Sequence, residues 1–265
     1  MAHTLHGLVR LFFWHMKLGA SRAMTYRADF ITGFIVSIVV SGIGPFVQYL
    51  YFTQTKGYPG WTLQQVLLFQ GLLLLWFGVR DLMFGEIRNT VMQLVWKGDF
   101  DRLLLKPYPP IGVILCSGFQ IGGIGSVVAG ILVTALALQN VDLSFSIWTI
   151  PLFVLMFVCG LLLFMALSIL FCAIVLLIVQ MFRIGEIFDK IMAFSEYPIN
   201  IFPVTVRVAL VTLLPFAVWT YYPAQILLGR IDHGIWAAAV FCVIVFWLSL
   251  QIWNRCLKNY TSAGG

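Results

Sequence analysis

Residues 148–181 read WTIPLFVLMFVCGLLLFMALSILFCAIVLLIVQM and contain no Asp, Glu, Lys or Arg. An α-helix needs about 20 apolar residues to cross the hydrocarbon core of a bilayer, so this run is long enough to span a membrane. The rest of the chain has the same character, because 61% of its 265 residues are hydrophobic and only 10% are charged. An ordinary soluble domain carries roughly 25% charged residues. The composition therefore excludes a water-soluble domain and indicates an all-α, polytopic membrane protein.

Four further apolar runs have a length suited to membrane crossings. They lie at Phe30–Phe52, Leu63–Phe84, Ile111–Leu138 and Ile235–Trp253. With one more crossing between residues 183 and 234, the chain is predicted to contain six transmembrane helices. These form a single transmembrane domain over residues 30–254, followed by a tail at residues 255–265.

The N-terminal segment, residues 1–29, is predicted to lie along the membrane surface. Between Leu5 and Arg27, apolar residues such as Leu8 and Phe12 alternate with polar ones such as Arg10 and Lys17, at close to the 3.6-residue period of a helix. This pattern is typical of an interfacial amphipathic helix.

The positions of the basic residues predict the orientation. If residues 1–29, 80–110, 180–207 and the chain after Trp253 lie inside, they hold 14 of the 16 Lys and Arg residues. Only Lys56 and Arg230 then lie outside. Cytoplasmic loops are enriched in Lys and Arg, so both termini are predicted to be cytoplasmic. The net charge of +6 is thereby explained without a nucleic acid partner.

The fifth crossing has two possible placements. In the first, residues 204–221 cross and the charged stretch 183–203 connects helices in the cytoplasm, as the charge count favours. In the second, residues 184–200 cross as a buried polar helix and residues 203–229 form a re-entrant hairpin that opens outward. Irregular backbone at membrane depth must be buried in protein or line a cavity, so the second placement implies a subunit interface or a pathway.

Residues 86–110, EIRNTVMQLVWKGDFDRLLLKPYPP, are predicted to begin with a short amphipathic helix on the inner face. Ile87, Val91 and Val95 give this helix one apolar stripe, and Gly98 is expected to end it. The segment is either a solvated loop between crossings or a docking element for a cytoplasmic partner. Its complete amphipathic turn and its rigid proline exit favour docking.

The chain lacks the motifs of an enzyme. None of its six lysines lies in a G-x-x-x-x-G-K-[S/T] loop, and G-x-S-x-G and H-E-x-x-H motifs are also absent. The five cysteines show no metal-binding spacing, and none of the four histidines lies within a predicted crossing. We therefore predict no catalytic residue, no metal site and no cofactor in this chain, and any ATP and Mg²⁺ must be bound by a partner.

Three motifs resemble those of a known family. They are KGDFDRLLLKP at 97–107, EYPINIFP at 196–203 and PFAVWTYYPAQILLG at 215–229. Together, in this order and spacing, they resemble the ABC-2 type permeases, most closely the branch formerly described as a domain of unknown function, DUF990. The resemblance extends over essentially the whole chain.

The resemblance implies the transmembrane subunit of an ATP-driven exporter for a lipid, a hydrophobic drug or a glycan-like substrate. It implies two separate ATPase subunits and a second permease subunit, either the same chain or a related one, in contact with membrane lipids. The family's cytoplasmic coupling helix falls on residues 86–102. Residues expected to couple to the ATPase are Arg88, Lys97, Gly98, Asp99, Asp101, Arg102, Lys106 and Pro107.

In ABC-2 permeases a proline-bearing re-entrant region precedes the last crossing, and this resemblance favours the second placement of the fifth crossing. The corresponding pathway or re-entrant residues are Glu196, Tyr197, Pro198, Pro203, Pro215, Tyr222 and Pro223. Glu186, Asp189 and Lys190 form either an ion-paired cytoplasmic connector or part of a buried seam. The alternative function is that of a secondary transporter or another non-ABC membrane protein, but such carriers usually show internal repeats and midplane charges, which this sequence lacks.

Overall fold

The computed structural model describes residues 2–139, 141, 146–177, 185–186, 189–190, 193–198, 201–205, 216–230 and 234–260. These residues form helices and connecting turns, with no strand among them. The named helices are α1 (Ala2–Thr25), α2 (Arg27–Gln54), α3 (Leu63–Phe84), α4 (Ile87–Trp96), α5 (Phe100–Leu104), α6 (Pro110–Cys116), α7 (Gly123–Leu138), α8 (Thr149–Leu177), α9 (Tyr221–Leu227) and α10 (Gly234–Lys258). Two 3-10 turns cover Ala193–Glu196 and Phe216–Val218.

Four stretches of the described chain are long and apolar enough to cross a membrane, namely Arg27–Gln54, Leu63–Trp96, Thr149–Leu177 and Gly234–Lys258. α7 is also apolar but has only 16 residues. The predicted all-α membrane architecture is confirmed. The count of six crossings stays a prediction, since much of the region assigned to the fifth crossing lies outside the described residues.

The third apolar run was predicted as one crossing, and this prediction is wrong in its continuity. Residues 111–138 form two helices, α6 and α7, that are separated by turns at residues 117–122. The Gly118 carbonyl accepts a hydrogen bond from the Glu86 N–H at 2.9 Å, and a Cβ atom at Gly118 would lie 2.9 Å from the Met83 carbonyl oxygen. The Gln120 N–H also donates across to the Leu82 carbonyl of α3 at 3.4 Å, so the backbone at the break is bonded to the end of α3 and to its junction with α4.

Glycines allow α3 and α7 to pack closely along their length. Gly71 and Gly78 on α3 are seven residues apart, and so are Gly123 and Gly130 on α7. A Cβ at Gly123 would lie 2.6 Å from the Gly78 carbonyl oxygen, and one at Gly130 would lie 3.0 Å from that of Gly71. Small residues let transmembrane backbones approach each other and gain dispersion energy, which replaces the hydrophobic effect as the source of association in lipid.

Two ends of the helix bundle are defined by the loops they carry. The Tyr58 end carries the loop between α2 and α3, and the α4 end carries α4 and α5. Near the C-terminus, Tyr260 lies at the α4 end, because its ring contacts that of Phe100 on α5 with centroids 4.9 Å apart. The α10 helix that leads to it runs to Lys258, four residues into the predicted tail.

α1 lies against the residues that follow α5. A Cβ at Gly7 would contact Tyr108, and one at Gly19 would contact Phe119. His15 is half-buried, and this burial, together with the nearby positive charges of Lys106 and Arg22, lowers its pKa below the usual 6.5. Both α1 and the C-terminal helix therefore reach the α4 end, which agrees with termini on one side of a membrane.

Candidate functional site

α4 is held by the apolar stripe that its sequence predicts. Ile87, Val91 and Val95 are at most 2% exposed and belong to the main core with α8 and α10. The helix ends at Trp96, and Gly98 adopts φ = +69° while its N–H donates to the Val95 carbonyl at 3.2 Å. The predicted role of Gly98 as helix terminator is confirmed, since a positive φ favours a residue without Cβ.

α5 is anchored in the same core. Phe100 and Leu103 are buried, and the ring of Phe100 lies edge-on to Trp253 of α10, with centroids 6.4 Å apart. α4 and α5 are therefore fixed on their inner faces to the helices that form the rest of the bundle. Packed side chains thus connect α4 and α5 to α8 and α10.

The outer face of this element is strongly exposed and partly apolar. Trp96 is 70% exposed and Leu105 is 87% exposed, although both are hydrophobic. They lie beside three basic residues, Lys97, Arg102 and Lys106, and we call this set of five the α4–α5 surface. Sequence reasoning selected the basic residues and missed Trp96 and Leu105. In the sequence, the feature that identifies Trp96 and Leu105 as exposed is their position just outside the predicted apolar stripe.

The predicted coupling residues do not all share this surface. Arg102 of α5 belongs to this surface and pairs through Nη1 with Oδ1 of Asp99 at 3.0 Å, whereas Asp101 is half-buried. Pro107 is exposed beside Lys106. Arg88 lies at the opposite end of α4, where its Nη1 contacts Oδ1 of Asp189 at 2.5 Å.

Two described residues between 185 and 198 contact α4 and α3 at different heights. Asp189 lies at the α4 end through its ion pair with Arg88. The Glu196 carbonyl accepts a hydrogen bond from Nε2 of Gln70 at 2.9 Å, and Gln70 lies seven residues into α3 from the Tyr58 end. The placement of the fifth crossing stays a prediction, because residues 187–188, 191–192, 199–200 and 206–215 lie outside the described residues.

Sequence reasoning did not select two buried glutamines, Gln48 on α2 and Gln70 on α3. Gln70 is 4% exposed and Gln48 is 5% exposed, and Oε1 of Gln48 accepts from the Tyr58 hydroxyl at 2.9 Å. Burial raises the pKa of Tyr58, the hydrogen bond to Gln48 lowers it, and nearby Tyr51 and Tyr197 raise it further. Buried polar groups in membrane helices need partners and are often functional, so a Gln inside each apolar run was the signal.

Two contacts place residues 219–230 between mid-bundle and the Tyr58 end. Trp219 stacks on Trp76 of α3 with centroids 4.7 Å apart and planes at 15°, about 20 Å along α3 from its first residue. Eleven residues later, Arg230 Nη1 donates to the Gly60 carbonyl at 3.4 Å. These residues thus lead from mid-bundle to the Tyr58 end; the predicted re-entrant hairpin at 203–229 stays a prediction, because residues 206–215 lie outside the described residues.

The residues predicted to line the pathway or the re-entrant region occupy different surroundings. Tyr222 and Pro223 are buried on α9, and Pro198 is buried near Gln70's partner Glu196. Tyr197 is 40% exposed, and Pro203 is exposed. Pro215 lies outside the described residues.

Arg80 lies in an aromatic enclosure on α3. Its guanidinium carbon is 4.5 Å from the ring centroid of Phe77 and 5.2 Å from that of Phe164, while Nη2 pairs with Oδ1 of Asp81 at 2.6 Å. Cation–π contacts and the ion pair together reduce the cost of placing this charge near the hydrocarbon region.

Comparison with protein families gives one match. Residues 38–264 match the family model described as ABC-2 family transporter protein. The matched region includes α4, α5 and residues 185–198 and 216–230. Comparisons with curated proteins and with solved structures gave no significant match.

Proposed function

Because this chain belongs to the ABC-2 family of transporter membrane proteins, we propose that it is the permease subunit of an ATP-driven exporter. The observation that carries this proposal is the α4–α5 surface. It presents Trp96 and Leu105 to the exterior from an element whose opposite face is buried in the helix bundle. An exposed apolar patch beside basic residues is typical of a protein-binding surface, and a separate ATPase subunit is the partner that the family requires.

The mechanism we propose is alternating access. Two ATPase subunits close on ATP and displace the α4–α5 surface of each of two permeases, the second being this chain or a related one. The displacement rearranges the interface between the permeases and opens the path outward. The chain itself supplies the path and binds no nucleotide, while ATP and Mg²⁺ belong to the partner.

The path we propose runs beside residues 185–198 and 216–230. The sequence of residues 216–228, FAVWTYYPAQILL, is mostly apolar or aromatic, which suits a lipid, a hydrophobic drug or a glycan-like substrate carried on a lipid. The α4–α5 surface then faces the cytoplasm of a bacterial inner membrane, as the distribution of 14 of 16 basic residues favours.

To test this function, the chain is purified alone and, separately, in complex with its ATPase. Mass spectrometry of the uncrosslinked complex identifies the ATPase. Alone, the chain is expected to hydrolyse no ATP above background, and turnover is expected only in the complex. Gradient-driven transport by the isolated chain, without ATP, would instead support the secondary transporter. ATP hydrolysis by the lone chain, abolished by a substitution within it, would contradict the proposal.

The ion pair between Arg88 and Asp189 is expected to transmit motion of α4 to the fifth crossing. Asp189→Arg places two cations together, and we expect ATP-driven transport to fall about 2- to 30-fold, the usual range for a coupling residue. The double variant Arg88→Asp with Asp189→Arg restores opposite charges and should recover transport. ATPase activity and transport are measured in the same vesicles, so that loss of coupling is separated from loss of assembly.

The matched control for this experiment is Asp29→Arg, which makes the same charge change at an exposed acidic residue in the first turn of α2, outside α4 and residues 185–198. This variant should transport as the wild type does. If Asp29→Arg and Asp189→Arg reduce transport equally, or if the double variant fails to recover while remaining folded, Arg88 and Asp189 do not form the link.

A further inference from the structure

One face of α1 is left uncovered by the described part of the chain. The opposite face packs on the residues after α5, where a Cβ at Gly112 would lie 2.8 Å from Leu8, and Sγ of Cys116 donates to the Leu8 carbonyl at 3.2 Å. The outward face contains Phe13, which is 61% exposed, and Trp14, which is 51% exposed. At least half of each of these large apolar side chains is thus left outside the packing of α1 on the bundle.

Basic residues flank the two aromatic rings on this outward face. Arg10 and Lys17 are seven residues apart, so they lie on the same side of the helix with Phe13 and Trp14 between them. Nζ of Lys17 lies 5.4 Å from the centroid of the Trp14 ring. Together with His6 and Val9, these side chains line a shallow groove of about 390 Å³.

The charge of this region has a single sign. Residues 1–28 contain Arg10, Lys17, Arg22 and Arg27 and no Asp or Glu. α1 passes into α2 through the single residue Tyr26, and α2 is long and apolar enough to cross a membrane. The outward face of α1 is therefore held close to the surface of the bilayer.

We propose that the outward face of α1 binds anionic phospholipid, with Arg10 and Lys17 contacting the phosphate-bearing headgroups and Phe13 and Trp14 contacting the upper acyl chains. Long basic side chains can place their charge among headgroups while their aliphatic stems cover apolar surface. Aromatic residues prefer the same depth of the bilayer. A docked protein partner would match the charge as well, but it would not explain a helix that is tied directly to the start of a membrane span.

The proposal goes beyond the transport function and holds for any substrate.

The full-length chain, in detergent, is titrated with phosphatidylglycerol and separately with phosphatidylcholine. Native mass spectrometry measures the retained lipid, and the thermal unfolding midpoint measures stabilisation. We expect the wild type to retain phosphatidylglycerol preferentially. Arg10→Gln with Lys17→Gln should weaken this preference roughly 25-fold, at about fivefold for each basic residue near an anionic surface.

The matched control removes the same charge from another exposed helix end. Arg255→Gln with Lys258→Gln does so at the end of α10, and this variant should retain the wild-type preference. Equal loss in both variants would show diffuse attraction and overturn the site. Unchanged lipid preference in the α1 variant would also overturn it, and loss of the ATPase from that variant would then assign the face to protein binding. The charge-retaining variant Arg10→Lys with Lys17→Arg should behave as the wild type, which separates loss of binding from failure to fold.

Discussion

Gly130→Ala is expected to lower the thermal unfolding midpoint by several degrees or to prevent recovery of folded protein. The added Cβ would lie 2.5 Å from the backbone nitrogen of Leu75 on α3 and 3.0 Å from the Gly71 carbonyl oxygen. Backbone atoms cannot move aside as a side-chain tip can, so α3 and α7 must separate. Overpacking of this kind typically costs about 1–3 kcal/mol, and more where the backbone is rigid.

Gly78→Ala on the facing helix should have a similar effect, because its Cβ would lie 2.6 Å from the backbone nitrogen of Val127. The controls are Gly33→Ala and Gly42→Ala on α2, where a Cβ meets nothing within 4 Å. In a helix, alanine is intrinsically favoured over glycine by about 1 kcal/mol, so these controls should be neutral or stabilising. If the Gly130→Ala protein has the same thermal unfolding midpoint as the wild type, α3 and α7 do not pack as described.

Trp96→Ala with Leu105→Ala is expected to abolish co-purification of the ATPase while leaving the permease folded. Both side chains are mostly exposed and so contribute little to the permease core. Buried tryptophan at a protein interface commonly contributes 2 kcal/mol or more, which corresponds to about 30-fold in affinity. Arg102→Ala should have a smaller effect, because exposed ion pairs such as the one with Asp99 are weak and screened by salt.

The control for this prediction is Trp236→Ala, since Trp236 is 61% exposed but lies at the beginning of α10 and not on the α4–α5 surface. The amount of ATPase retained per permease is measured by quantitative mass spectrometry of the affinity-purified complex. Wild-type retention by the Trp96 and Leu105 variant would assign ATPase binding to another surface. Equal loss with Trp236→Ala would indicate a general defect in the membrane domain.

Sequence patterns predicted the features that depend on neighbouring residues. The apolar run Leu63–Phe84 coincides with α3, whose first turn is closed by reciprocal hydrogen bonds between Thr62 and Gln65. The stripe of Ile87, Val91 and Val95 is buried as its spacing indicates. Hydropathy, helical period and capping are local properties, and each is encoded within a few residues.

Which distant residues meet depends on the tertiary structure. At the break between α6 and α7 the Glu86 N–H donates to the Gly118 carbonyl, and hydropathy does not register a contact of this kind. The pairing of Arg88 with Asp189 spans 101 residues, and that of Gln70 with Glu196 spans 126. The sequence places Gln70 within an apolar run, so this side chain needs a partner in a membrane, because leaving it unsatisfied is costly. The packing of α3 against its neighbours sets which partner it meets, since that packing fixes the distances between them.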